Sequence, residues 1–155
     1  SCCDRQDWSV FQKGPFVNAE LVVATEGSCL CGAVRYEIDR LASPIGFCHC
    51  LTCQKAHAAA SAPTARVRRE HFRWLLGRES VAGYESSPGK IRHFCKRCGS
   101  HIVSEKSGLD EFILRVATLD SDPGMRPVVH IWTSHDVPWL EEVDLPKLAE
   151  GFSST

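Results

Sequence analysis

Seven cysteines in three short groups are the residues of this chain best suited to chemistry: Cys29-x-Cys31, Cys48-x-Cys50-x-x-Cys53 and Cys95-x-x-Cys98. Within each group the spacing lets the sulfurs converge on one tetrahedral ion at Zn–S distances of ~2.3 Å with little distortion of the chain. Thiolates are soft donors, so such a constellation selects zinc ahead of hard, oxygen-seeking cations. Seven donors divide naturally as four plus three. Four close a structural site, whereas three leave one position open for a substrate or an exchanging ligand.

Cys95-Lys96-Arg97-Cys98-Gly99 reads as a zinc knuckle, two cysteines on a tight turn with a glycine after the second to allow an unusual backbone angle. A knuckle needs two more donors, and Cys29 and Cys31 are the other isolated pair. These four are assigned to a structural site. They join distant stretches of chain, so metal binding would close the domain. Cys48, Cys50 and Cys53 remain as the candidate catalytic ligands of a second zinc. The same count also allows one of them to complete some other four-sulfur set, leaving nothing open, and disulfides are a third arrangement. Three thiolates on Zn²⁺ carry a local charge of about −1 and make a poorer Lewis acid than three histidines. Such a site suits holding or delivering a soft sulfur ligand better than acidifying water. That is thiol chemistry.

The elements that must position these groups read as mostly β. Ala33–Ile38 alternates apolar and charged residues with the period of a half-buried strand, and similar segments occur at Ala62–Val67, Ile91–Phe94, His101–Ser104, Phe112–Val116 and Val128–Trp132. Turn residues separate them at Ser86-Ser87-Pro88-Gly89 and Asp122-Pro123-Gly124. Helix signals are short, at Gln54–Ala60 and Arg69–Phe72. An antiparallel, mostly β domain with short helices is expected. Residues 1–26 read as an N-terminal extension with an edge strand at Leu21–Ala24, 27–145 as the zinc-binding domain, and 146–155 as a C-terminal tail.

At 155 residues the chain suits one domain able to bury a core without disulfide staples, and 43% hydrophobic with 24% charged residues is an ordinary globular balance. A formal charge of −1 argues against nucleic acid or an anionic membrane as partner. Seven thiolates set against two Zn²⁺ would take that charge only to −4. No apolar run approaches the ~18 residues of a membrane span, and the first residues lack the pattern of a secretory signal. A reducing, cytoplasmic setting is therefore expected, where spaced cysteines bind metal before they form disulfides.

Gly27-Ser28-Cys29-Leu30-Cys31-Gly32-Ala33-Val34, Cys48-His49-Cys50-Leu51-Thr52-Cys53-Gln54-Lys55 and Phe94-Cys95-Lys96-Arg97-Cys98-Gly99-Ser100 resemble the glutathione-dependent formaldehyde-activating enzyme family. The same domain occurs in centromere protein V. His130-Ile131-Trp132 followed by Pro138-Trp139 is similar to the family's C-terminal signature, and the resemblance spans roughly residues 26–145. It implies a β-tent fold, two antiparallel sheets braced by zinc. It places Cys29, Cys31, Cys95 and Cys98 on the structural zinc and Cys48, Cys50 and Cys53 on the catalytic one. The implied activity is that of a carbon–sulfur lyase working on the adduct of glutathione and formaldehyde, S-hydroxymethylglutathione. A non-catalytic zinc module for protein interaction is the alternative. A methionine-sulfoxide reductase of similar fold is rejected, because it needs a nucleophilic cysteine beyond the knuckles and none follows Cys98.

Cys2 and Cys3, adjacent and near a chain end, are expected to play no metal role. His49 sits between two ligands and should point away from the ion. His57 reads as an exposed helix histidine or a proton carrier, and His101 could face either way. Lys55, Arg92, Lys96 and Arg97 are expected to screen the thiolate centres, and Arg66, Arg68 and Arg69 to form a solvated face. Trp132 and Trp139 are expected in the core or in a pocket wall.

Overall fold

A computed structural model of the chain describes residues 24–140. In chain order it contains β1 (Thr25–Ser28), β2 (Arg35–Ile38), β3 (Ile45–Cys48), α1 (Leu51–His57), β4 (Ala62–Arg68), β5 (Phe72–Leu76), β6 (Val81–Ser87), β7 (Lys90–Cys95), β8 (His101–Lys106), β9 (Glu111–Arg115) and β10 (Pro127–Ile131). Single 3₁₀ turns cover Arg69–His71, Arg78–Ser80, Val116–Thr118 and Thr133–His135. Alternation explains the strands that were legible: β2 buries Tyr36 and Ile38 and exposes Arg35. Strands β1, β3, β5 and β6 were not read from the sequence. They are short or lack clean alternation, and β3 and β6 carry an interior glycine. The strand expected at Leu21–Ala24 falls on residues that, Ala24 apart, lie outside those described.

The strands form two sheets, β1-β2-β5 and β10-β3-β4-β9-β8-β7-β6. One expectation needs correcting, because β10 pairs with β3 in parallel. The chain returns to that edge after a long connection from β9 instead of a hairpin, which permits the parallel direction. The main core lies between the sheets. Tyr36, Ile38 and Phe72 from the small sheet meet Val67, Ile102, Val103 and Leu114 from the large one, and Cys29 and Cys95 belong to the same cluster. Tyr36 stacks on Phe72 at 5.2 Å and carries its hydroxyl 2.7 Å from Thr118 Oγ1. Burial pushes that phenol well above its usual range.

Two glycines allow close approaches in and beside the small sheet. Gly27 lies opposite Tyr36, and a Cβ there would stand 2.2 Å from the ring. Gly77 has φ +72°, and a Cβ would fall 1.8 Å from the Ala33 carbonyl oxygen, which is backbone and cannot step aside. Gly77 begins the turn whose Ser80 carbonyl accepts the Lys96 N–H at 2.9 Å, so this turn meets the chain beside Cys95 as well as at Ala33. Gly77→Ala is expected to cost at least ~3 kcal/mol from left-handed strain plus overpacking. In a chain of this size that lowers Tm by roughly 6–12 °C. Thermal denaturation checks it, and an unchanged Tm would contradict this packing.

Candidate metal centres

The pair Cys29 and Cys31 follows β1 in the small sheet, and Cys95 and Cys98 form the turn from β7 to β8 in the large one. Their four Sγ atoms lie within 4.8 Å of one another, with Cys31 Sγ 3.6 Å from Cys29 Sγ and 3.9 Å from Cys95 Sγ. Donors at Zn–S ~2.3 Å stand ~3.8 Å apart along a tetrahedron's edges, so these sulfurs are already spaced for such an ion. The backbone holds them there. Val34 N–H points at Cys29 Sγ (3.3 Å), Leu30 N–H donates to Ser100 Oγ (3.0 Å), and Gly99, at φ +79°, donates to the Cys95 carbonyl (2.7 Å).

The electrostatics of the group also call for a cation. Ser100, through its hydroxyl and its N–H, brings the Cys98 thiol down to about 5. At Cys31 the Ala33 amide pulls downward, but desolvation and the three neighbouring sulfurs outweigh it and push the thiol up to about 11. At Cys29 burial pushes upward, yet the Val34 amide and the adjacent sulfurs leave it below its usual value. Four sulfurs this close cannot all be anionic unless a positive ion sits among them.

The second group is smaller and deeper. Cys48 ends β3, Cys50 caps α1 and Cys53 lies in its first turn; their sulfurs lie within 4.8 Å of one another. All three side chains are buried, at 0%, 0% and 2% exposure. Cys53 N–H points at Cys50 Sγ (3.4 Å), so the sulfur itself opens the helix. This is why α1 begins before the expected Gln54. It stops at Ala58, which adopts φ 49° and donates back to the Gln54 carbonyl. Ala62, Ile131 and Trp132 pack around the sulfurs. Among the described residues no fourth Cys, His or carboxylate joins the group.

The parallel pairing of β10 with β3 sets Ile131 opposite Cys48, and the following residues strap the cysteine loop down. His49 N–H donates to the Ile131 carbonyl (2.9 Å), and Gln54 Nε2 donates to the carbonyls of His49 (2.7 Å) and His135 (2.8 Å). His49 turns away from the sulfurs, as expected, with Nδ1 2.6 Å from Asp136 Oδ1 and Nε2 2.8 Å from His130 Nδ1. Trp132 takes φ +63°, a left-handed conformation that costs a bulky residue ~1–3 kcal/mol, and His135 stacks on its indole at 5.6 Å. Gln54, His130, Ser100 and Asp136 were given no role from sequence. Gln54, Ser100 and His130 stand inside the motifs that carry the resemblance, but their bonds to His135, to Leu30 and to His49 join positions far apart in the chain, so the motifs do not tell their roles.

Other expectations change. His57 is half-buried against His101, ring centroids 5.0 Å apart, and is not an exposed helix histidine. A register shift between His93 and Phe94 buries both Ile102 and Val103 in the main core and returns His101 to the other face, stacked on Phe94 at 5.5 Å. Burial, with Arg115 and Arg92 nearby, favours the neutral form of His101. Arg92 is buried at 1% exposure with Nε donating to Ser86 Oγ (3.0 Å), whereas Lys55, Lys96 and Arg97 are exposed. Arg66 pairs with Glu111 (2.6 Å), and Arg69 pairs with Glu105 and lies over the Phe112 ring (4.4 Å), so only Arg68 fits a solvated face. Trp139 is 72% exposed, where the core or a pocket wall was expected. Cys2 and Cys3 lie outside the described residues. No helix among those residues is long and apolar enough to cross a membrane.

Residues 24–135 match the family described as glutathione-dependent formaldehyde-activating enzyme. The chain belongs to this family. All seven spaced cysteines and the strap as far as His135 fall inside the match. A Halomonas elongata protein named "Putative glutathione-dependent formaldehyde-activating enzyme" is 30% identical over 125 residues, covering 75% of this chain and 79% of that one. A solved Rhodobacter sphaeroides protein structure is 25% identical with a TM-score of 0.55, covering 68% of this chain and 98% of that one. For this member of the formaldehyde-activating family, two cysteine groups of four and three could each hold a metal ion.

Proposed function

We propose that the chain is a zinc-dependent enzyme of carbon–sulfur lyase type, acting on the adduct of formaldehyde with glutathione or another small thiol. Zinc among Cys29, Cys31, Cys95 and Cys98 is structural in this reading, and zinc among Cys48, Cys50 and Cys53 is catalytic. The observation that carries it is the difference between the two groups: four sulfurs tie the sheets together, while three buried sulfurs converge with no fourth donor among the described residues. Membership of a family named for glutathione and formaldehyde supports the substrate class.

Cys48, Cys50 and Cys53 would hold the zinc, which would supply affinity for a fourth sulfur and favour the thiolate form of a bound thiol near neutral pH. The chain's own residues do the positioning. Gln54 and the His49 amide lock the cysteine loop to the strap, so the three sulfurs hold their places without substrate. Ile131 and Trp132 pack against the group and would limit the water beside a bound ion. In the forward direction the thiol sulfur bonds to the formaldehyde carbon, the C=O pair moves to oxygen, and that oxygen takes a proton. The reverse breaks the same C–S bond and returns the thiol.

Exchange NMR on glutathione–formaldehyde mixtures tests this reading. Catalytic amounts of protein should raise the rate of S-hydroxymethyl formation above background. Background rates with glutathione and with every other biological thiol tried would sink it. The same two cysteine groups would serve the second reading, a zinc module that docks a protein partner. That reading gains if both ions are retained while no adduct chemistry is accelerated.

A further inference from the structure

Donor count alone ranks the three-sulfur group as the labile one, because an open site loses metal more readily than a closed site. Exposure ranks them the opposite way. Cys48, Cys50 and Cys53 are all buried, whereas in the four-sulfur group Cys29 and Cys95 are buried, Cys98 is partly exposed and Cys31 is exposed. With an ion among them all seven are thiolates, so access decides which sulfur a dissolved oxidant meets first. Leu30, between Cys29 and Cys31, is 87% exposed, so this side of the turn leans on little else.

We propose that Cys31 is a redox modification site: a peroxide oxidises it ahead of the other six spaced cysteines, and it then closes a disulfide within the four-sulfur group, releasing the ion held there. The Cys31 thiolate attacks one peroxide oxygen, the O–O bond breaks, and a sulfenic acid and hydroxide result. A neighbouring thiolate attacks that sulfur and expels the second hydroxide as the S–S bond forms. Two thiolates have then given two electrons to one peroxide, and two protons complete two waters. Cys29 and Cys95 Sγ stand 3.6 and 3.9 Å away, and Cys98 is within 4.8 Å, so the bond needs a closure of only ~1.5–3 Å. Two molecules of a small thiol reverse it by exchange, leaving as their own disulfide. Because the group joins the β1–β2 turn to the β7–β8 turn, closure on Cys29 at 3.6 Å would leave the two turns unlinked, and closure on Cys95 or Cys98 would replace the ion with a covalent link, while the three-sulfur group keeps its thiolates.

The experiment is a hydrogen peroxide titration of the wild-type, metal-loaded chain. Released zinc is followed with a chromogenic chelator, and each cysteine is read by differential alkylation and peptide mapping, which separates Cys2 and Cys3 from the rest. Cys31 should lose reactivity at a peroxide dose at least ~10-fold below that for Cys48, Cys50 or Cys53. One zinc per chain should leave in step with it, and dithiothreitol should restore both. Oxidation of the three-sulfur group first or simultaneously, or no oxidation at Cys31, would overturn the proposal. The sulfur order is read without any activity assay. Oxidation in this order in a chain whose reduced, metal-loaded form accelerates adduct formation with no thiol would sink the lyase reading and leave this one standing.

Discussion

Cys50→Ser is expected to leave a folded chain with one zinc instead of two and to slow adduct formation by at least ~100-fold. The fold should survive because this sulfur serves the backbone as cap of α1, where it faces Cys53 N–H at 3.4 Å. A serine hydroxyl is a good N-cap and takes over that contact. It is a poor ligand for a soft site, so two thiolates remain where three are needed. Loss of outer contacts to a metal ligand already costs 10–100-fold, so loss of a ligand should reach at least the upper end. Elemental analysis with and without excess glutathione, alongside the exchange assay, reads both effects. Two zincs and unchanged rates in the variant would remove this group from the chemistry altogether.

Cys95→Ser should do the reverse kind of damage and unfold the domain or lower its Tm by tens of degrees. Cys95 is fully buried, belongs to the main hydrophobic cluster, and has its sulfur within 4.8 Å of those of Cys29 and Cys31 beside the other sheet. Structural zinc contributes roughly 10–16 kcal/mol in small zinc-folded units, as much as the whole ~5–15 kcal/mol stability of an ordinary domain. Losing even ~5 kcal/mol lowers Tm by ~10–20 °C in a chain of this size. Circular dichroism melts, with and without a strong chelator, measure it. A variant melting within a few degrees of wild type would show that the packed sheets, not the ion, hold the domain closed. The two serine variants together separate a centre that acts from a centre that holds.

The cysteine groups were legible because each spacing is local. Two or three donors within one turn of chain can converge whatever the rest of the fold does, so the division into four and three followed from counting, and the sulfurs do gather in those two sets. Strands with clean alternation were legible for the same reason: the pattern is written in neighbouring residues. Strands β3 and β6 carry glycine where alternation should show, and β3 is fixed by what lies beside it, β4 on one edge and the parallel β10 on the other. The start of α1 was missed because its cap is a sulfur, outside the usual capping residues.

By itself, then, the sequence determined the two cysteine groups, the mostly β character and the family. These depend on short-range spacing and on residue type. Only the tertiary structure decided that Cys31 is the exposed sulfur and that the three-sulfur group is buried, since exposure depends on what two distant sheets cover. It also decided that the register shift in β7–β8 turns His101 toward His57, and that Trp132 is held in a left-handed conformation over the sulfurs. No local pattern encodes these, because each is a compromise between elements that meet only once the chain has folded.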